Sequence, residues 1–327
     1  MLKSTLKLLT IMTFASSSTL SMAFTPSGKI ECIVPANPGG GWDFTCRSAA
    51  FVMEKLGLIH GSMQTTNMAG GDGAVAYSHV ISKRNSDDNL IIAASSATTT
   101  RLGQHQYTGM DAGMVKWIGA LGADYGVIAV SQDSKYKDLN ELIVAMKQDV
   151  RAVKFAGGSV AGGWDHLEIL EVAKKAGISN VQNLPYLSYN SGGMAITQVM
   201  GGHADAVIGD ISEVSAFVDS GNVRVLVVLA DERLPGKFSN LPTAKEQGID
   251  AIGANWRGFY MPAGASEEAQ QFWVSTLDRL YDSPQWQEVM ASHGLVPFHP
   301  ADEQFNSFVI NQVNNIEQLS KEIGLLK

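Results

Sequence analysis

Residues 30–47 read IECIVPANPGGGWDFTCR, and residues 155–166 read FAGGSVAGGWDH. In the first stretch Lys29 to Val34 alternates and runs into Pro35, which predicts a strand ending in the glycine run Gly39-Gly40-Gly41. From Asp43 to Leu56 apolar residues recur at helical spacing, with Gly57 as the stop. The second stretch repeats the plan. A strand over Val153 to Ala156 leads into a glycine loop, Gly157 to Gly163, and then a helix from His166 to Lys175 ended by Gly177. One chain therefore builds the same glycine-tryptophan-aspartate corner twice.

The alternation extends in both directions. Met63 to Asn67 reads as a strand, Ala69 to Gly73 as a loop and Ala74 to Ser82 as a helix. Asn89 to Ala94 is an apolar strand followed by a hydroxyl-rich loop, Ser95 to Arg101, and Trp117 to Leu121 and Gly126 to Val130 read as two strands close together. A second series runs from a helix over Asp138 to Met146 through a strand ending at Leu184, a turn over Tyr186 to Ser191 and a helix over Gly193 to Met200. Strands at Ala206 to Ile208 and Val223 to Ala230 complete it. From Ala251 the order changes to a short strand through Phe259 and Tyr260, then helices from Ser266, Pro284 and Ala301. Alternating strand and helix units imply an α/β fold with parallel sheets covered on both faces. Two such series and a helical tail predict two α/β lobes. Residues 24–123 with 252–327 form the first, and residues 124–251 the second.

The chain starts Met-Leu-Lys, carries Lys7, continues with apolar Leu8 to Phe14, and passes a serine-rich run to Ser21-Met22-Ala23. That order reads as a secretory signal peptide over residues 1–23. Its apolar part is too short to span a bilayer, which takes about 20 residues. The formal charge of −8 comes from 24 basic and 32 acidic residues, and loss of Lys3 and Lys7 leaves 22 against 32, or −10. An acidic surface of mixed sign argues against nucleic acid or anionic lipid as partner. It leaves a small anion open, since local backbone donors act at shorter range. Cys32 and Cys46 are the two cysteines. An oxidising compartment permits a bond between them, and two small buried apolar residues are the alternative. Their position on either side of the first corner favours the bond.

In open α/β sheets, ligands sit on loops at the carboxyl ends of strands. Both corners occupy that place, at Pro38, Gly40, Gly41, Trp42 and Asp43 and at Ser159, Gly162, Gly163 and Asp165. Glycines admit close backbone approach, and the following helix offers unpaired N–H groups and partial positive charge. Each corner is thus a candidate carboxylate or phosphate cradle. The loop with Gly70, Gly71 and Gly73 and the turn with Tyr189, Asn190 and Ser191 add two more. Asp43 and Asp165 would repel an anion, so each is expected first to cap its own helix; the alternative is that one of them accepts from a ligand hydroxyl, which would suit a hydroxy acid such as citrate. Trp42 and Trp164 either wall a cleft or sit in the lobe cores. Among the arginines, Arg101, beside Thr99 in the hydroxyl-rich loop, is the best-placed anion partner. Arg47 suits an internal salt bridge, and Arg257 lies where a chain crossing between lobes would run.

Rival chemistries fare worse. Gly71 to Ala76 matches a dinucleotide G-x-G-x-x-A, with Asp87 and Asp88 roughly where a ribose-binding acid would come. An exported protein, however, has no ready nicotinamide supply. Gly157 to Ala161 is one residue from a nucleophile elbow around Ser159, which would suit a secreted hydrolase. Adjacent Asp165 and His166 make poor triad geometry. The histidines show no ligand spacing and two cysteines make no four-thiolate site, so no metal and no cofactor are expected.

The ordered set of motifs carries a resemblance. Pro-Gly-Gly-Gly-Trp-Asp with Arg47, Ala69 to Gly73, Gly157 to His166, Pro185-Tyr186, Gly201 to Asp205, Trp256-Arg257-Gly258 and Met261 to Gly264 occur in this order over nearly all of the expected mature chain. Together they resemble the TctC, or Bug-type, substrate-binding proteins of tripartite tricarboxylate transporters. The resemblance implies a type II periplasmic-binding-protein fold, two lobes and a hinge that close on one organic anion, and a membrane permease partner with a large and a small subunit. It implies that the four loops line the cleft with Asp210 near its floor. The triple glycine and the flanking cysteines lean toward the tricarboxylate branch, with citrate or another tricarboxylate as ligand. On this reading each lobe gives one helix N-terminus to a shared anion.

Overall fold

The structure, a computed structural model, describes residues 24–322 and Leu326; the expected signal peptide lies outside the described residues. In chain order β1 (Ile30–Val34) leads to α1 (Gly41–Lys55), β2 (Met63–Asn67) to α2 (Ala74–Lys83), and β3 (Leu90–Ser95) to α3 (Ser96–Gly103). The long β4 (Val115–Ser131) precedes α4 (Leu139–Gln148), β5 (Phe155–Gly157), α5 (Trp164–Lys175), β6 (Tyr186–Ser188) and α6 (Gly192–Met200). Then come β7 (Ala206–Asp210), α7 (Ile211–Asp219), β8 (Val223–Val228), β9 (Ala254–Pro262), α8 (Glu267–Tyr281), α9 (Pro284–His293) and α10 (Asp302–Glu322).

Among the described residues nine strands make one sheet in the order β2-β1-β3-β9-β4-β7-β5-β6, with β8 also on β4. β1 and β3 are buried at every position, as expected of strands covered on both faces. Pairing is parallel for β1 with β2 and β3 and for β5 with β6 and β7. It is antiparallel wherever β4 or β9 takes part. The sheet is therefore mixed, not purely parallel.

β4 does the joining. Its Val115 to Tyr125 pairs with β9, and its Gly126 to Ser131 pairs with β7 and β8. Each half of the sheet has an apolar cluster on either face. Trp273, Leu277 and Trp286 pack on one face of the first half, and Tyr77, Trp117 and Phe305 on the other. Leu142, Phe155 and Ile169 pack on one face of the second half, and Ile196, Val207 and Val214 on the other. The chain runs from the first half to the second at Gly126 and returns at Gly253, and the Gly126 amide donates to the Gly253 carbonyl at 2.8 Å.

Three local readings are corrected. The two strands expected at Trp117 to Val130 are one, because register shifts between Trp117 and Gly119 and between Ala120 and Gly122 absorb the glycines as bulges. The hydroxyl-rich loop is α3. Ser95 and Thr98 form a capping box, and the Thr99 and Thr100 hydroxyls donate back to the Ser96 carbonyl, so the helix satisfies groups that usually favour turns. The strand expected to end at Leu184 is a short 3-10 turn, Val181–Asn183, and β6 lies inside the expected turn. Cys32 and Cys46 are bonded, with Cα atoms 5.9 Å apart, tying β1 to α1.

Candidate solute-binding cavity

Six strand-to-helix junctions and β9 converge on one cavity of about 40 Å³, room for a few waters at ~10–15 Å³ each. The first half brings Gly40, Gly41 and Trp42 from the start of α1, Asp72 from the β2–α2 turn, and Ser95 and Ala97 from the start of α3. The second brings Gly158, Ser159 and Asp165 around the start of α5, Ser191 and Gly192 at α6, and Asp210 and Glu213 at α7. Asn255 and Arg257 enter from β9. Gly40 and Gly163 are the N-cap residues of α1 and α5, so the two corners open on the same space.

The halves are hydrogen-bonded across it. Gly193 donates to the Gly39 carbonyl at 2.9 Å and Asn37 to the Asn190 carbonyl at 3.1 Å. Ser191 Oγ donates to the Pro38 carbonyl at 3.2 Å, and Gln104 Nε2 to the Gly162 carbonyl at 3.0 Å.

The lining is acidic. Arg257 sits on the floor with its Nη2 at 2.8 Å from Asp124 Oδ2 and 2.6 Å from Asp210 Oδ2. Asn255 Nδ2 adds a donor to Asp210 at 2.9 Å. Glu213 Oε1 accepts from the Gly41 amide at 2.6 Å, and Asp165 Oδ2 accepts from Gly158 and Ser159 at 2.6 and 3.2 Å. Helix-start and loop amides that the sequence assigned to a ligand anion are thus met by the protein's own carboxylates. Burial pushes the Asp72 carboxyl up to about 6, with Arg101 opposing. Burial first, then neighbouring acids, raise Asp165 to about 7. Asp210 and Glu213 also reach about 7 through burial, with Arg257 pulling both down. Burial acts to depress the Arg257 guanidinium, and Asp210, Asp124 and Glu213 more than reverse it.

The sequence profile described as "Tripartite tricarboxylate transporter family receptor" (TctC) matches residues 60–325. The chain belongs to the TctC receptor family. A UPF0065 protein of Bordetella pertussis is 25% identical over 315 residues, which is 95% of this chain and 94% of that protein. The structure of the periplasmic binding protein BugD superposes with a TM-score of 0.81 at 21% identity, covering 92% of this chain and 99% of that one. MatC from Rhodopseudomonas palustris, solved with bound malate, gives 0.78 at 18% identity and covers 89% and 98%. The fold of this TctC receptor is that of the periplasmic binding proteins it superposes on.

Several expected site residues of this TctC receptor lie elsewhere. Asp43 and Asp165 do not cap their helices. They occupy the first turn, where side chains lean toward the N-terminus, and each reaches back to loop amides, Asp43 to Gly39 at 3.0 Å. Asp43 also binds Arg47 at 2.9 Å, the internal pair anticipated for that arginine. Thr99 turns to Gln312 of α10 at 2.8 Å. Arg101, in the last turn of α3, keeps its Nε 3.9 Å from Asp72 Oδ2 and does not line the cavity; Arg257 does. Gly70, Tyr189 and Asn190 line a second, smaller cavity beside the first, shared with Asp72 and Gly158. Gly71 and Gly73 bound the 3-10 turn that presents Asp72. Trp42 serves both roles left open: it lines the cavity and donates to Ser95 Oγ at 3.0 Å within the core. Trp164 of α5 packs on the apolar cluster of the opposite half.

Ser159 Oγ accepts from the Asp165 amide at 3.0 Å and lies 3.3 Å from the Tyr186 hydroxyl, while His166 Nδ1 accepts from Gly162 at 2.9 Å. The serine is held by an amide and a phenol, not by an imidazole base. Sequence reasoning missed Glu213, Asp124, Asn255 and the role of Asp72. Of these, only Asp72 carried a signal, lying between two glycines after a strand.

Proposed function

We propose that this chain is a periplasmic receptor that encloses one small organic acid between two lobes and delivers it to a membrane permease with a large and a small subunit. The lobes are residues 24–123 with 252–327 and residues 124–251, and the loops named above are the contact surface. The carrying observation is that strand-end loops from both halves line one cavity and hydrogen-bond across it. Malate in MatC supports an organic acid as the solute class. Citrate suits this lining poorly, because three carboxylates would meet Asp72, Asp165, Asp210 and Glu213 with Arg257 as the one arginine among the described residues that line the cavity. An acid with fewer negative charges fits better.

Thermal unfolding of residues 24–327 against a panel of mono-, di- and tricarboxylates and amino acids tests the reading. A solute at a hundred times its dissociation constant adds about 2.7 kcal/mol. Small-angle scattering should show the same solute compacting the protein. Failure of every solute in the panel to do either, with no solute co-purifying with the protein, rejects the receptor reading.

A further inference from the structure

Two buried carboxylate oxygens on the cavity wall make no hydrogen bond of good geometry, Asp72 Oδ2 and Asp210 Oδ1, although the Val160 amide lies close enough to the Asp72 carboxyl to favour its charged form. Their side chains are only 6% and 5% exposed, and they come from opposite halves of the molecule. Buried acceptors are normally answered by a donor. The cavity's own cation is already engaged, since Arg257 binds Asp124 and Asp210 through the other oxygen of Asp210. Arg101 Nε makes a long ion pair with Asp72 Oδ2 at 3.9 Å, too far to hydrogen-bond, and is itself buried without a hydrogen-bond partner. Across the cleft, a Cβ added to Gly163 would fall 2.7 Å from the same Asp72 oxygen, so that oxygen lies against the second corner. Among the described residues no group of acids, histidines or cysteines is arranged to hold a metal ion.

We propose that the enclosed solute carries a protonated primary amine, seated between Asp72 and Asp210 with Asp165 and Glu213 as flanking counter-charges. An ammonium presents three donors and no acceptor, which matches a wall whose unanswered groups are acceptors. Charge-assisted bonds of this kind are about twice as strong as neutral ones. A wholly anionic solute offers these oxygens no donor. The inference rests on the receptor reading and narrows it to amino-bearing solutes.

The test uses probes of one chain length that differ in their ends: succinate, γ-aminobutyrate and putrescine, with lysine and citrate added. Unfolding midpoints and titration calorimetry are recorded at about pH 8, where exposed carboxyl groups are ionised. At least one amine probe should raise the midpoint, and succinate and citrate should not. Asp72→Asn removes the charge and keeps the shape, and asparagine tolerates the left-handed backbone found there (φ 54). Amine affinity should fall about tenfold or more in this variant. Should the variant fail to fold, the wild type supplies the second measurement: amine affinity falls between about pH 8 and pH 5 as the acids protonate. Stabilisation by succinate or citrate with none by the amines overturns the amine assignment and leaves the receptor reading standing. Silence from every amine probe, or amine affinity unchanged both in Asp72→Asn and on acidification, also overturns it. In the silent case, native mass spectrometry of the protein purified from periplasm decides the receptor reading separately, by the presence of a co-purified solute.

Discussion

The Gly41 amide donates to Glu213 Oε1 at 2.6 Å, so an N–H of the first turn of α1 is answered by a carboxylate from the opposite half. That carboxylate holds the place a ligand anion would take at a helix N-terminus. Glu213→Gln keeps an acceptor for Gly41 and removes the charge. Affinity for succinate at about pH 8 should then rise, on the order of tenfold for one repulsive pair removed. Calorimetry on the two proteins checks this, and equal or weaker affinity in the variant contradicts it.

Stability of the ligand-free protein should decline from mildly acidic to mildly basic pH. Asp72 stands at about 6 and Asp165, Asp210 and Glu213 at about 7, against ordinary values of 3.8 and 4.5. Each group therefore binds its proton more tightly in the folded chain. Folding takes up protons between the two values, and the contribution is lost as pH rises through about 6–7. Asp43, where Arg47, Gly39 and Asn67 outweigh the upward push of burial, works in the opposite sense and loses its contribution in stronger acid. A thermal midpoint that peaks near about pH 5 is expected; a flat or rising profile up to pH 8 refutes it.

Arg257→Met should be among the most destabilising single changes in the cavity. It strands Asp124 and Asp210, whose side chains are 0% and 5% exposed, and breaking a buried pair from one side costs about 3–5 kcal/mol. Part of the loss should return in mild acid, where Asp210, raised to about 7, is neutral. Gly41→Ala should produce a similar effect, because its Cβ would collide with the Arg257 guanidinium. Urea unfolding of both variants at two pH values measures it. Wild-type stability in either would show that the guanidinium is not pinned.

Replacing both Cys32 and Cys46 with alanine should lower unfolding free energy by about 3 kcal/mol, the chain-entropy value for a short loop. The bond spans 14 residues and encloses the first corner. Denaturant midpoints with and without reductant should therefore differ in the wild type and agree in the variant.

The corners were legible because glycine runs, apolar periodicity and helix stops coincide at Gly39 to Gly57 and at Gly157 to Gly177. The closing wall was not. Glu213 sits in an unremarkable Ile-Ser-Glu-Val helix start, and only the convergence of α7 on α1 gives it a role. Arg257 was visible as a candidate but ranked below Arg101, which follows a strand in sequence. Its place depends on β9 pairing antiparallel with β4, Gly122 opposite Arg257, a long-range register that no local pattern carries. The threonines of α3 misled for a related reason. Their weak helix propensity is overridden by back-bonding to Ser96 and by complete burial.

Where the chain passes between the halves, Glu168 fills the notch left by two missing side chains. A Cβ on Gly126 or on Gly253 would strike its carboxyl group, both oxygens of that group lack a protein partner, and burial holds its titration well above the usual range. Positions 126, 168 and 253 are therefore one volume shared by three residues. A larger side chain at either glycine needs a shorter one at 168, and a shorter residue at 168 leaves a gap beside both crossing points at once. Added bulk at any one of these three sites therefore has to be offset at another.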